Sequence, residues 1–245
     1  MSNVFRTVIC GVDGSSAGIA AARTAARVVD PDGKLVLVAV ENAALAVHAG
    51  WGARAVIDQL EAEAKAAAES ALRAVEDIHP AATAVVEGDP SGSLLREADE
   101  REATLLVVGA REHSRALGIL LGSVATTLLH EAPCSVLVAR ETAEDWPHHI
   151  IVGVDGSSAA LDALDAARVL AVRFRVPIRS VEEPGDDPVD GLAALAEPSD
   201  MLVVGSRGLK GVRALGSVSE RLAHHARCPV LVVRGRGAGR GGGRT

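Results

Sequence analysis

The sequence predicts an α/β protein of two tandem, doubly wound and mostly parallel open sheets, with five strands in the first half and about four in the second. One supporting observation is a duplication: Gly-Val-Asp-Gly-Ser-Ser occurs at residues 11–16 and again at 153–158, each time directly after an apolar run. Another is the alternation, in both halves, of short apolar runs with segments of helical periodicity. Further segments recur in the same order: 106–109 as 202–205, 121–124 as 215–218, and 132–138 as 226–232.

The two copies differ in length. From Asp13 to Gly109 is 96 residues, but from Asp155 to Gly205 is only 50, so the second copy lacks 46 residues from its middle. The loop between the glycine of Val-Val-Gly and that of Gly-Ser-Val is shorter as well, at 11 residues against 13. The second half should therefore be a truncated version of the first.

Local signals predict the elements of the first copy. A strand over 5–12 ends at a turn in which Ser15 or Ser16 can cap the next helix. The apolar run 35–40 has a length that suits a buried parallel strand. Apolar residues recur every three or four positions over 51–78, which predicts a long amphipathic helix. The other predicted elements are helix 17–29, strand 83–87, helix 91–100, strand 105–108, helix 123–130 with Ser123 as its cap, and strand 136–139.

The second copy keeps this order but lacks one strand and the long helix. We expect strand 178–182 to lie beside strand 150–154, since a right-handed crossover reaches the adjacent position most easily. The terminal strands 136–139 and 230–233 would otherwise have exposed edges, so we expect them to join the halves as an intramolecular pseudo-dimer. The remaining predicted elements are helix 159–173, helix 189–197, strand 201–204 and a last helix before the terminal strand.

The repeat divides the chain into α/β domains at 1–140 and 149–234, joined by the polar segment 141–149. The Gly/Arg tail 235–245 is expected to be disordered, because its composition cannot form a core. Three cysteines, Cys10, Cys134 and Cys228, lie in apolar runs and are expected to be reduced core thiols.

Composition narrows the expected partners and location. A net charge of −7, with two Trp, two Phe and no Tyr, provides neither a basic surface nor stacking platforms, so no nucleic acid partner is expected. No apolar run approaches the roughly 20 residues of a membrane span, and the N-terminus has no signal-peptide pattern. We therefore expect a cytoplasmic protein without membrane contact. No catalytic triad, paired-carboxylate or metal-ligand spacing is present, so neither enzymatic activity nor a protein-bound metal site is expected.

Candidate binding residues lie at the carboxyl ends of the predicted strands, where such sheets bind ligands. Asp13, Val40 and Gly109 lie at or just after the ends of three strands of the first copy. Gly122 and Ser123 open a helix whose N-terminal amides and dipole favour negative charge. The pattern predicts an anion site at this edge.

The motifs Gly-Val-Asp-Gly-Ser, Val-Val-Gly and Gly-Ser-Val, followed by a Cys-containing terminal strand, together resemble the universal stress protein family in tandem form over residues 1–234. Many members bind ATP through a Gly-x2-Gly-x9-Gly-Ser/Thr loop, with an acidic residue after strand one and the end of strand two near the adenosine. The resemblance implies a stress-response regulator that binds ATP, with Mg²⁺, or another adenine nucleotide at the loop from Gly109 to Ser123. The implied binding residues are Asp13, Val40, Gly109, Arg111, Gly122, Ser123 and Val124 in the first copy, and Asp155, Gly205, Gly208, Gly216 and Ser217 in the second.

Neither copy has the family loop intact. In the first, Glu112 replaces the second glycine, and a carboxylate about 5 Å from a phosphate charge costs roughly 3 kcal/mol at an effective dielectric near 20. The second copy has its glycines and three loop cations, Arg207, Lys210 and Arg213, but its loop is short and one wall of the adenine pocket is missing. The positive charge of its loop favours nucleotide binding by the second copy. The loop length and the complete set of strands favour binding by the first.

Three points stay open from the sequence. Asp13 and Asp155 could act only as turn residues that cap the first helix of each copy. The whole protein could be a nucleotide-free scaffold that acts by contact with unknown protein partners. The intramolecular pseudo-dimer could also associate as a homodimer.

Overall fold

The computed structural model describes residues 4–42, 53–110, 121–182, 185, 187–206 and 218–235. The strands are β1 (Thr7–Val12), β2 (Lys34–Glu41), β3 (Ala81–Glu87), β4 (Leu105–Gly109), β5 (Ser135–Ala139), β6 (Ile150–Gly153), β7 (Ile178–Val181), β8 (Met201–Ser206) and β9 (Val230–Arg234). The helices are α1 (Ser16–Val28), α2 (Ala53–Arg73), α3 (Pro90–Glu100), α4 (Ser123–Glu131), α5 (Ser158–Phe174), α6 (Pro188–Leu195) and α7 (Val218–His225). The described residues thus contain the predicted five strands in the first half and four in the second.

Strand order follows the doubly wound pattern in each half. The first half has the order β3-β2-β1-β4-β5, and the second continues it as β9-β8-β6-β7. All neighbours within a half are parallel. The chain reverses its direction of winding between β1 and β4, and again between β6 and β8. In such sheets a crevice opens beyond the carboxyl ends of the strands at this switch point.

Side chains of the strands alternate between two buried layers. Val8, Cys10 and Val12 point into a core with the apolar residues of α1, α2 and α5. Ile9 points to the opposite core, which contains residues of α3, α4, α6 and α7. This two-sided burial explains why β1 is almost continuously apolar.

The two halves form one continuous nine-stranded sheet. β5 pairs antiparallel with β9, with Leu137 opposite Leu231 at the centre of the pairing. The predicted pseudo-dimer through the terminal strands is confirmed, and the two predicted sheets are joined edge to edge. The predicted neighbour of the first strand in the second half is also confirmed, since Ile150 pairs with Ile178.

The described residues of the second half contain no counterpart of α2, and the exposed face of β7 fits that difference. Leu37 of β2 is fully buried beneath the α1/α2 layer. Ser180 takes the corresponding position of β7, opposite Val152 as Leu37 is opposite Cys10, and it is exposed. Because Ser180 is polar, this face of β7 can be exposed to solvent without a covering helix.

The segment between the halves is packed, although its polar composition predicted a simple linker. Trp146 is 3% exposed, and its ring lies edge-on to Phe174 with the centroids 5.8 Å apart. Its indole N–H donates to the carbonyl of Asp200 at 2.9 Å, and Arg27 donates to the carbonyl of Ala143 at 2.9 Å. The connection is therefore anchored to both halves.

Some predicted boundaries were wrong. α2 ends at Arg73 and is followed by turns, whereas periodicity had extended the helix to Ile78. β1 begins at Thr7, because the amide of Phe5 donates to the carboxylate of Asp30 rather than to a neighbouring strand. The tail 236–245 lies outside the described residues.

The cysteine prediction is confirmed. Cys10, Cys134 and Cys228 are unpaired and buried. Burial raises the pKa of Cys134 to about 12 and that of Cys228 to about 11, and it raises the pKa of Cys10 further still. Within the described parts of the chain, no helix is both long and apolar enough to cross a bilayer.

Candidate functional site

A cleft of about 180 Å³ lies at the switch point of the first half. It opens between the carboxyl ends of β1, β2 and β4 and the first turns of α1, α3 and α4. Six of the predicted site residues line it: Asp13, Val40, Gly109, Gly122, Ser123 and Val124. These residues come from four separate segments of the chain, and the fold brings them together.

The remaining predicted residues are placed differently. Arg111, Gly208, Gly216 and Ser217 lie outside the described residues. Asp155 and Gly205 are described and occupy, in the second half, the positions that Asp13 and Gly109 occupy in the first. The described residues therefore define the cleft of the first half but not the corresponding site of the second.

Asp13 forms the turn that begins α1. Its Oδ1 atom accepts hydrogen bonds from the amide of Ser15, at 3.1 Å, and from the hydroxyl of the same residue. The Oγ of Ser15 accepts from the amide of Gly18 at 3.1 Å, which makes Ser15 the N-cap. Asp155 has the same arrangement with Ser157. The turn role is thus present in both copies, and the cleft lies against the first of these turns.

Gly109 forms part of the cleft wall because β4 approaches α1 very closely there. A Cβ atom at Gly109 would lie 2.5 Å from the carbonyl oxygen of Ala17. At Gly205 it would lie 2.3 Å from the carbonyl oxygen of Ala159. Packing of the strand end on the helix start therefore requires glycine in both copies, independently of any ligand.

The first turn of α4 faces the cleft without a side-chain cap. Gly122 is the N-cap residue, with φ −68° and ψ 156°, and no side chain of this residue can bond the first amides. Ser123 is the first residue of the helix, so the prediction that Ser123 caps α4 was wrong. The N-terminal amides and the helix dipole favour an anion at this position. The hydroxyl of Ser123, on the cleft wall, is a further potential donor.

Sequence reasoning missed the contribution of α3. Pro90 and Leu94 line the cleft, and Asp89 caps this helix by accepting from the amide of Gly92 at 2.9 Å. The helix predicted at 91–100 was not expected to contribute to the site. Its position directly after a predicted parallel strand was the signal that this helix also begins at the ligand edge.

The described walls divide into an apolar and a polar part. Val38, Val40, Leu94 and Val108 provide the apolar part, and the start of α4 provides the amides. Asp13 is the charged side chain among the described lining residues. The described residues contain no cluster of three or more His, Cys, Asp or Glu side chains that could hold a metal. A magnesium ion here would take most of its ligands from phosphate oxygens and water.

A doubly wound, mostly parallel sheet with a cleft at the switch point defines an α/β protein of the kind that binds ligands beyond the carboxyl ends of its strands. The chain belongs to the universal stress protein family, whose model matches residues 5–140 and 175–234. A universal stress protein of Mycolicibacterium smegmatis is 28% identical, over 94% of this chain and 97% of that one.

Two further similarities agree with this assignment. A universal stress protein of Mycobacterium tuberculosis is 31% identical over 55% of this chain, which matches 62% of the length of that relative. The crystal structure of a universal stress protein from Archaeoglobus fulgidus superposes with a TM-score of 0.75, covering 94% of this chain and 98% of that one at 18% identity. At that identity the superposition shows the fold alone.

Proposed function

We propose that this protein is a stress-response regulator whose first half binds ATP, with Mg²⁺, or another adenine nucleotide. The observation that carries the proposal is the convergence of three strand ends and the uncapped start of α4 on one cleft. An adenine nucleotide has a base with flat aromatic faces at one end and an anionic phosphate group at the other. The cleft has an apolar wall that suits the faces of the base, and a helix N-terminus that suits the phosphates.

In this proposal the base lies against Val38, Val40 and Leu94, and the phosphates lie at Gly122 and Ser123. The role is binding without catalysis: occupancy changes the surface offered to protein partners. The three unpaired, buried thiols support a reducing compartment such as the cytoplasm.

A nucleotide-free scaffold is the second candidate, and specific observations favour it. Gly109 and Gly205 are required by close packing, and Asp13 and Asp155 form the same capping turn in both copies. These residues would be retained even if no nucleotide were bound. In that case the protein acts only by contact through its joined halves.

Calorimetric titration with ATP, ADP and cyclic AMP tests the two candidates on the full chain. Ser123→Ala should weaken ATP binding by about 1 kcal/mol through one lost hydrogen bond. Ser157→Ala is the matched control, because it removes a helix-start hydroxyl in the second half and should leave this binding unchanged. The scaffold would be favoured if the wild-type protein gave no heat of binding with millimolar nucleotide and released no bound nucleotide during the titration.

A further inference from the structure

Two arginines tie each half to a helix of the other. Arg140 directly follows β5, and its Nη2 donates to the carbonyl of Ala223 in α7 at 2.7 Å. Arg234 ends β9, and its Nη2 donates to the carbonyl of Leu129 in α4 at 2.7 Å. Leu129 and Ala223 occupy the same position in the two copies, three residues before the alanine that follows each helix. The contacts are therefore reciprocal about the β5–β9 pairing.

The carbonyl of Leu129 needs an outside donor. In a continuing helix it would accept from the residue four positions later, which is Pro133 and has no N–H. The preceding carbonyl, that of Leu128, accepts from the amide of Ala132 at 3.0 Å. The guanidinium of Arg234 supplies the missing donor, and its positive charge complements the C-terminal end of the helix dipole.

The backbone of Arg234 also bonds to the first half. Its amide donates to the hydroxyl of Ser135 at 3.2 Å, at the start of β5. α4 has a second contact with the other half, because Nε2 of His130 lies 3.3 Å from Oε1 of Glu220 on α7, with both side chains largely buried. The last turn of α4 is thus positioned by residues that belong to the second half.

The opposite end of the same helix forms the polar wall of the cleft. α4 has nine residues, so its ends are about 13 Å apart and move together as one rigid rod. A displacement at Leu129 therefore displaces Gly122 and Ser123. We propose that Arg234 is a positioning residue for the first-half cleft, so that ligand binding in the first half depends on a side chain of the second. This inference rests on the proposed nucleotide binding.

The coupling has to be reciprocal. If the Arg234 contact favours the binding-competent position of α4, then nucleotide binding must strengthen that contact by the same factor. The truncated second half then has a role even without a ligand of its own: it holds the helix that contacts the phosphates.

The test compares Arg234→Gln with Arg140→Gln in the full chain by calorimetric titration with MgATP. Arg234→Gln removes the guanidinium bond to the carbonyl of Leu129, at 2.7 Å. Arg140→Gln removes two such bonds between the halves, to the carbonyls of Ala223 at 2.7 Å and of Cys228 at 3.1 Å, so it should loosen the contact between the halves at least as much. Arg234→Gln should weaken ATP binding at least about fivefold, the lower end of usual couplings between sites, whereas Arg140→Gln should leave it within about twofold. Arg234→Lys keeps the charge and one donor and should recover part of the affinity.

Hydrogen exchange provides a readout that needs no variant. ATP should slow amide exchange in residues 230–235 of the wild-type protein as well as at the start of α4. Equal loss of affinity in both Gln variants would overturn the inference, because it would indicate a general loosening of the halves. Unchanged affinity in Arg234→Gln, or no ATP effect on residues 230–235, would overturn it while leaving the proposed function intact. A wild-type protein that binds no ATP would overturn both.

Discussion

The carboxylate of Asp13 has a structural task that its counterpart in the second half shares. It accepts from the amide and hydroxyl of Ser15, and it also lines the cleft. A single carboxylate can do both, since each of its oxygens has more than one acceptor position. An effect of substituting Asp13 on ligand binding would therefore combine a lost contact with a disturbed helix start.

Glu112 is the residue whose replacement should strengthen binding. It lies outside the described residues, and the expectation comes from its place in the loop sequence. Glu112→Gly should tighten ATP binding by up to about 3 kcal/mol, because it removes a negative charge near the phosphates. The gain should shrink at high salt, as screening requires. Glu102→Gly is the control: Glu102 is exposed with φ 49°, so glycine fits there and ATP affinity should stay constant.

His224 should make stability depend on pH. Burial, opposed by the charge of Glu220, lowers the pKa of His224 below its ordinary value of 6.5. The unfolded chain therefore binds more protons than the folded one as pH falls through and below about 6.5, and the free energy of unfolding decreases over that window. Above it, this residue contributes no pH dependence.

Urea unfolding at about pH 7.5 and about pH 5.5 measures this effect. His224→Gln should reduce the loss of stability between the two pH values. His225→Gln, at the exposed neighbouring position, should retain most of it, because the charge of His225 lowers the pKa of His224 less than burial does. An identical pH dependence in wild type and His224→Gln would contradict the assignment to His224.

At the scale of elements, a strand end approaches a helix start in each half so closely that a glycine lies between them. Gly109→Ala should destabilise the protein by about 1–3 kcal/mol, because the new methyl group would lie 2.5 Å from the Ala17 carbonyl oxygen. Gly205→Ala should do the same in the second half. The free energy of unfolding is to be measured without nucleotide, so that packing and ligand effects stay separate.

Gly92→Ala is the control for that prediction. Gly92 lies inside α3, and an added Cβ would be 3.6 Å from the nearest atom outside its helix neighbours, an ordinary contact. Alanine there should leave stability unchanged or raise it by about 0.5–1 kcal/mol. A neutral Gly109→Ala variant would mean that α1 can shift away, and that the glycine is not required by packing.

The elements were predictable from the sequence because their signals are local. Short apolar runs marked the strands, and the repeated turn after β1 marked the same edge in both halves. Six of the sixteen described residues that line the cleft were predicted from these signals. Pro90 and Leu94 were not, because they reach the cleft only through the pairing of β3 with β2. The bond between Arg234 and Leu129 spans 105 residues, and no local pattern reports such a contact.

At the scale of the whole molecule, a buried ion pair joins the halves beside the connecting segment. Arg173 of α5 donates to the carboxylate of Asp30 and to the carbonyls of Val28 and Val29. Asp30 is 1% exposed, and it also accepts from the amide of Phe5. Both ions are largely removed from water, so loss of one leaves the other without compensation.

Asp30→Asn should therefore reduce the free energy of unfolding by about 3 kcal/mol or more. Asp165→Asn, which breaks an exposed pair with Arg168 on the surface of α5, should cost less than about 1 kcal/mol. Denaturant unfolding of the full chain measures both. Similar values for the two variants would show that the Asp30 pair does not join the halves as described.

The antiparallel pairing of β5 with β9 gives the molecule two opposite poles. The strands of the first half end at one pole, and those of the second half end at the other. The cleft of the first half and the strand ends at Asp155 and Gly205 in the second half therefore face in opposite directions, so one small ligand cannot contact both.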